Sequence, residues 1–225
     1  MSLFKRVSSG IRSRLWKMKL KRLSLGERFD LIYRSGHWFS NGESKSGSGS
    51  TLEATASIRR QLPALFDELG ANSILDVGCG DFNWMSQVEH SCKYHGVDVA
   101  PSLIQANNKE FGSERISFTV LDAVEGPIPQ GFDLVMCREV LFHLSNDDSR
   151  KLVRNILDSG PRFLMVTTDQ RVTDNLDIES GEFRSVNMQI APFDFPKPLR
   201  YIEDSCISQS RAMGVWKIVD LAAPT

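Results

Sequence analysis

Five short apolar runs rich in β-branched residues recur along the middle of the chain. They are SILDV (73–77), YHGVD (94–98), ISFTVL (116–121), FDLVMC (132–137) and RFLMVTT (162–168). Between the last two, residues 146–160 place Leu152, Val153, Ile156 and Leu157 on one side of a helix. Strands alternating with helical stretches predict a mostly parallel sheet covered on both faces. Two further runs, LRYIE (199–203) and GVWKIVDL (214–221), have no long helix between them and predict an antiparallel hairpin at the sheet edge. A ligand of such a sheet sits beyond the carboxyl ends of its strands.

Upstream of the first run, Ile58, Leu62, Leu65, Phe66 and Leu69 mark an apolar helical face. Ser50 and Glu53 have the spacing of a capping box for that helix. Pro63 is expected to kink or split it, and Gly70 to end it. Residues 33–50 (YRSGHWFSNGESKSGSGS) are dominated by Gly and Ser and read as a loop. His37, Trp38 and Phe39 are too apolar for a plain spacer, so a loop folding over a ligand also fits.

Charge is unevenly divided. Residues 1–28 hold nine Lys or Arg and one acid, Glu27, of the 27 basic and 28 acidic residues in the chain. The body beyond is therefore acidic. In the basic segment Phe4, Val7, Ile11, Leu15 and Met18 recur at spacings of three and four, opposite Lys and Arg. That pattern fits a helix lying on an anionic membrane. It also fits a helix packed on the body, a frayed tail or a transit peptide. The expected organisation is this segment (1–28) followed by one domain (29–225). The domain divides into a loop and helix (29–72), a core (73–168), a long loop (169–198) and terminal strands (199–225). Cys79, Cys92, Cys137 and Cys206 form no CxxC pair. They read as small buried hydrophobes in a reducing compartment, which for this chain is expected to be the cytoplasm.

The first strand runs directly into VGCGD (77–81). A dinucleotide needs its pyrophosphate close to backbone at a helix N-terminus. Here Asp81 stands where a following helix is expected to begin, and a carboxylate there repels a pyrophosphate. Asn83 occupies the place of a third glycine. S-adenosylmethionine fits better, because it lacks phosphate and is net cationic. Asp76, Asp81, Asp98 and Asp122 all fall at strand ends or in the glycine loop. Gly78 and Gly80 let backbone approach the methionine portion. Asp98 follows the second strand, placed to accept from both ribose hydroxyls. Asp122 can accept from the adenine amino group, with Val99, Ala123 and Val124 about the ring. Helix capping and turn formation are the alternative roles for these acids, most readily for Asp81.

In order and spacing, LDVGCGD (75–81), GVDVAPSLI (96–104), FTVLDA (118–123) and FDLVMCREVLFHL (132–144) resemble the class I S-adenosylmethionine-dependent methyltransferases. The resemblance covers roughly residues 51–170. It implies a Rossmann-like, seven-stranded α/β sheet with helices on both faces and a C-terminal antiparallel hairpin. It also implies that Asp76 and Gly78 contact the methionine end, Asp98 the ribose and Asp122 the adenine. Cys137, closing the fourth strand, joins the cofactor-side candidates. The outer segments resemble a bacterial subgroup associated with surface polysaccharide synthesis.

The acceptor is expected after the fourth strand. His143 can take a proton near neutral pH, and Glu139 is the other candidate base. Arg138 suits an anionic group on the acceptor. An ion pair between Arg138 and Glu139, and a hydrogen-bonding role for His143 within the fold, are the alternatives. In residues 169–198, Arg184 and Asn187 are candidate acceptor contacts. DNA amino-methyltransferases carry an Asn/Asp-Pro-Pro-aromatic stretch where this chain has CREV (137–140), so DNA is not expected as substrate. No His and acid cluster has metal spacing. The leading expectation is O-methylation of a small or carbohydrate-like acceptor. Methylation of a lipid or quinone at a membrane, and a non-catalytic cofactor-binding scaffold, are the competing readings.

Overall fold

The computed structural model describes residues 20–39, 42–204 and 208–224. The amphipathic stripe expected over Phe4–Met18, and Cys206, lie outside the described residues.

Seven strands form one sheet: β1 (Ser73–Val77), β2 (Lys93–Asp98), β3 (Ile116–Val120), β4 (Leu134–Cys137), β5 (Phe163–Asp169), β6 (Arg200–Glu203) and β7 (Arg211–Lys217). Their order is β3-β2-β1-β4-β5-β7-β6. The first five are parallel, and β7 runs antiparallel between β5 and β6. This is the Rossmann-like sheet with a terminal hairpin that the strand runs implied. Strand order reverses between β1 and β4, which opens a crevice at their carboxyl ends.

Alternation along the strands separates two cores. Leu75, Val77, Val135, Leu164 and Val166 face α1 (Leu25–Arg34) and α4 (Asn146–Asp158). Ile74, Leu134, Met136 and Met165 face α2 (Ala56–Leu69). The helix α3 (Pro101–Phe111) packs chiefly on β3. Helix α1 crosses residue 28 and begins with a full capping box between Ser24 and Glu27. It buries Phe29 and Ile32.

Four local expectations are corrected. Helix α2 starts at Ala56, not after a Ser50–Glu53 box, and the Thr55 hydroxyl at its N-cap donates back to the Thr51 carbonyl instead of capping the helix. Ser50 instead closes a short 3-10 turn, and its carbonyl accepts from Asn83. The helix passes through Pro63 as one element, because Ile58, Leu62, Leu65 and Phe66 anchor the turns on both sides of it. No α-helix follows the glycine loop; only a 3-10 turn, Met85–Gln87, stands there, so Asp81 caps nothing. Finally, β7 begins three residues before the expected run and ends at Lys217. Lys217 pairs with Phe163, the first residue of β5, so Ile218 has no strand residue opposite it.

Candidate active site

A cleft of about 940 Å³, partly open to solvent, lies at the carboxyl ends of β1, β2 and β4. The glycine loop forms its floor. Gly78 and Gly80 both have positive φ. A Cβ on Gly78 would stand 2.3 Å from a Val140 methyl, so no other residue fits there without displacing Val140. The loop is held by Gly78 and Cys79 N–H groups donating to the Val97 carbonyl. Asn107 of α3 donates to the Gly80 carbonyl at 2.8 Å.

Three buried or half-buried acids line the cleft from successive strand ends. Asp98 accepts from Gly80 N–H at 3.1 Å and from Ala100 N–H at 3.0 Å. Burial pushes its carboxyl up to about 6 against those bonds. Asp76 accepts from the Tyr94 hydroxyl at 2.5 Å. Burial pushes it up to about 7, with the charge of Asp98 adding to the shift. Asp122 accepts from Val124 N–H in a tight turn, and burial raises it also. Asn155 of α4 fixes that turn by donating to the Ala123 and Val124 carbonyls. A cation entering the cleft favours the ionised form of all three. Below about pH 6 such a ligand must first displace protons from Asp76 and Asp98.

Asp81 also lines the cleft, yet its carboxylate is occupied by Ser44, Lys45, Ser46 and Asn83. Val99 and Ala123 lie on the wall. Cys137 does not; it is buried in the core behind the wall, and burial raises its thiol.

The acceptor end is built on the turn after β4. Glu139 has φ +59°, and its N–H donates to Thr167 Oγ1 of β5 at 2.8 Å. Its carboxylate pairs with Arg211 and lies 3.8 Å from Arg138. Arg138 is bidentate to Asp204 at 3.0 and 2.8 Å, and also donates to the Gly49 carbonyl. Arg211 donates to the Asp204 backbone. These two guanidiniums and two carboxylates tie the ends of β4, β6 and β7 together. Arg138 and Glu139 are therefore the ion pair that the sequence allowed, enlarged by two residues from the C-terminal strands. Asp204 and Arg211 were missed in the sequence because they lie more than 60 residues from Arg138.

His143 lines the far wall. Its Nδ1 lies 2.8 Å from the Glu182 carbonyl, which can only accept. Nδ1 therefore carries the proton, and in the neutral ring Nε2 has a free lone pair. Burial lowers its pKa, keeping the ring neutral. The Trp38 ring lies 4.6 Å from the imidazole, tilted by 37°, and Phe183 stands at 5.5 Å. Trp38 is itself packed by Phe29 and Tyr33 of α1. Leu25, Phe29 and Tyr33 line the cleft, a contribution that no feature of the basic segment signalled.

Arg184 and Asn187 do not line the cleft. Arg184 donates to the Leu144 and Leu176 carbonyls and to Asn146. Asn187 donates to the Val172 carbonyl. Both hold the long loop in shape. That loop reaches the site through its backbone instead, with Gly181 N–H donating to the His143 carbonyl and Arg184 N–H to that of Phe142.

Residues 74–159 match the family model described as a methyltransferase domain. The matched stretch runs from β1 to the end of α4, the part of the sheet that builds the cleft. The seven-stranded order with its antiparallel terminal hairpin fits a Rossmann-like methyltransferase fold. No curated protein sequence matches the chain. Among solved structures it is similar to PigF with SAH, at 16% identity and TM-score 0.58, covering 84% of this chain and 61% of that one. It is similar to the N-methyltransferase NodS of Bradyrhizobium japonicum WM9, at 16% identity and TM-score 0.56, covering 73% and 96%. Human N-acetylserotonin methyltransferase in complex with SAM aligns at 16% identity and TM-score 0.54, covering 73% and 52%. The chain thus spans about half the length of the human enzyme, and at these identities the likeness is one of fold.

Among the described residues no group of three or more His, Cys, Asp and Glu is placed to hold a metal ion. Among the same residues no helix is long and apolar enough to cross a membrane.

Proposed function

We propose that the chain is an S-adenosylmethionine-dependent methyltransferase that methylates a hydroxyl oxygen on a small, carbohydrate-like acceptor, with His143 as the base. The observation that carries this reading is the fixed tautomer of His143. Its proton is committed to the Glu182 carbonyl, and its other nitrogen is free at the cleft wall. A hydroxyl needs such a base, whereas a neutral amine does not need to lose its proton before it attacks.

The donor set suits the cofactor. Three acids face a net cationic molecule, and no pyrophosphate cradle is present, since no α-helix follows the glycine loop. We assign Asp76, Gly78 and Gly80 to its methionine end, Asp98 to its ribose, and Asp122, Val99 and Ala123 to its adenine. When bound, S-adenosylmethionine supplies an electrophilic methyl group on its sulfonium. His143 Nε2 takes the hydroxyl proton, and the Nδ1–H bond to Glu182 steadies the imidazolium that forms. The Trp38 and Phe183 rings beside it restrict water. Glu139, held by two arginines, is left to set the local field, and Arg138, committed to Asp204, positions Glu139 rather than contacting the acceptor.

The subgroup resemblance supports an acceptor from surface polysaccharide synthesis. The basic residues 1–28 support peripheral contact with an anionic membrane, on the cytoplasmic side. Incubation with methyl-labelled S-adenosylmethionine and bacterial extract fractions tests the acceptor. Label is expected in the carbohydrate fraction, as an ether stable to mild base. Label confined to lipid, protein or amine products contradicts the reading.

A further inference from the structure

The segment from Glu43 to Ser50 crosses the mouth of the glycine loop and is fastened to it at several points. Asp81 is the centre of the fastening. Its Oδ2 accepts from the Ser44 hydroxyl at 2.9 Å and from Lys45 N–H at 2.6 Å. Its Oδ1 accepts from the Ser46 hydroxyl at 3.1 Å and Asn83 N–H at 3.3 Å. Asp81 N–H in turn donates to Ser46 Oγ at 2.9 Å. Asn83 donates to Glu43 and to the Ser50 carbonyl, and Arg138 donates to the Gly49 carbonyl. Four donors on one carboxylate leave it little capacity for a ligand. Gly42 and Gly47, at φ +76° and +98°, flank the fastened residues. Ser46 and Ser50 line the cleft, and Gly47 lies against Trp38, which packs on His143.

We infer that Asp81 is a positioning residue whose carboxylate latches residues 43–50 over the glycine loop, and that release of this strap admits the cofactor. The inference rests on the reading of the cleft as the cofactor site. The strap has little apolar anchorage of its own. Its hold on the body is a set of hydrogen bonds to one charged group and its neighbours, so it is among the segments that open locally. Opening and closing at the two glycines leaves the sheet and α1 in place. A closed strap brings Ser46 against Gly80 and Gly47 against Trp38, so one movement encloses the cofactor end and backs the ring that packs on His143.

Lys45 provides the readout. Its side chain is exposed while its N–H is held by Asp81, so trypsin reaches the 45–46 bond only when the strap opens. When opening is fast relative to cleavage, the cutting rate follows the open population. Replacement of Asp81 by Asn removes hydrogen bonds to a charged acceptor. Cutting at Lys45, followed by mass spectrometry on the full chain, is then expected to rise about 10–100-fold. Ser46→Ala should give a smaller rise in the same direction, independently of how well the Asp81 variant folds. In the wild type, saturating S-adenosylmethionine should slow the cut at least tenfold. Cofactor dissociation should be faster from Asp81→Asn. Wild-type cutting rates in both variants overturn the latch. Cofactor binding that leaves the wild-type cut unchanged overturns the coupling. Calorimetry on the same samples separates these from failure of the cofactor reading: if S-adenosylmethionine does not bind, the cleft assignment falls, while the ligand-free comparison of the variants still decides the latch.

Discussion

His143→Ala is expected to lower turnover about 10²–10⁴-fold, the usual contribution of a positioned base, with cofactor affinity unchanged. The ring touches Trp38, Phe183 and the Glu182 carbonyl, none of which is assigned to the cofactor. Steady-state rates and cofactor calorimetry on one preparation check both halves. Near-normal turnover would leave His143 as a hydrogen-bonding residue of the fold. Loss of cofactor affinity in parallel with turnover would show that the ring supports the cleft rather than the proton transfer.

The second large effect concerns stability. Asp204→Ala is expected to cost about 3–5 kcal/mol, because removing one partner of a buried pair leaves the others uncompensated. Arg138 and Arg211 side chains are 4% and 3% exposed, and Asp204 is fully buried. Without Asp204, two guanidiniums share the single carboxylate of Glu139. Urea unfolding monitored by circular dichroism measures the loss. A change below about 1 kcal/mol would mean that water reaches the cluster. Asp204→Asn keeps an acceptor and should fall between the two proteins.

This cluster also shows where sequence reading stops. The parallel strands were legible because each apolar run is local, and a strand covered on both faces is apolar along its length whatever its partners. Asp98 was legible because its interval from the glycine loop is set by one βα crossover. His143 and Glu139 were legible as residues just beyond β4. The Arg138–Asp204–Arg211 contacts join segments brought side by side only when β7 inserts between β5 and β6. Arg184 and Asn187 read as ligand contacts because a polar residue in a long loop looks the same whether it binds a ligand or the carbonyls of its own loop. Helix α1 was available in the sequence. Ser24 and Glu27 have capping-box spacing, but Glu27 and Arg28 fall inside the basic segment, and its charge pattern drew the boundary there. Asp81 reads as a cofactor contact because it is an acid in the glycine loop, and the helix expected to begin there offers capping as the alternative. Burial of Phe82, Trp84 and Met85 in the core stands with a turn in place of that helix, and the freed carboxylate holds residues 44–46.

The most direct test of the central claim is a calorimetric titration of the full chain with S-adenosylmethionine at pH 8 and at pH 5.5, beside NAD and the Asp98→Ala variant. The expected result is one-site binding of S-adenosylmethionine at pH 8 and weaker binding at pH 5.5. The sign follows from Asp76 near 7 and Asp98 near 6, which are ionised at the higher pH and largely protonated at the lower. Asp98→Ala should lose about 1–3 kcal/mol of binding, the cost of unpairing buried polar groups, and NAD should give no heat of binding. Equal binding at both pH values with wild-type affinity in Asp98→Ala, or binding of NAD in place of S-adenosylmethionine, would contradict the account.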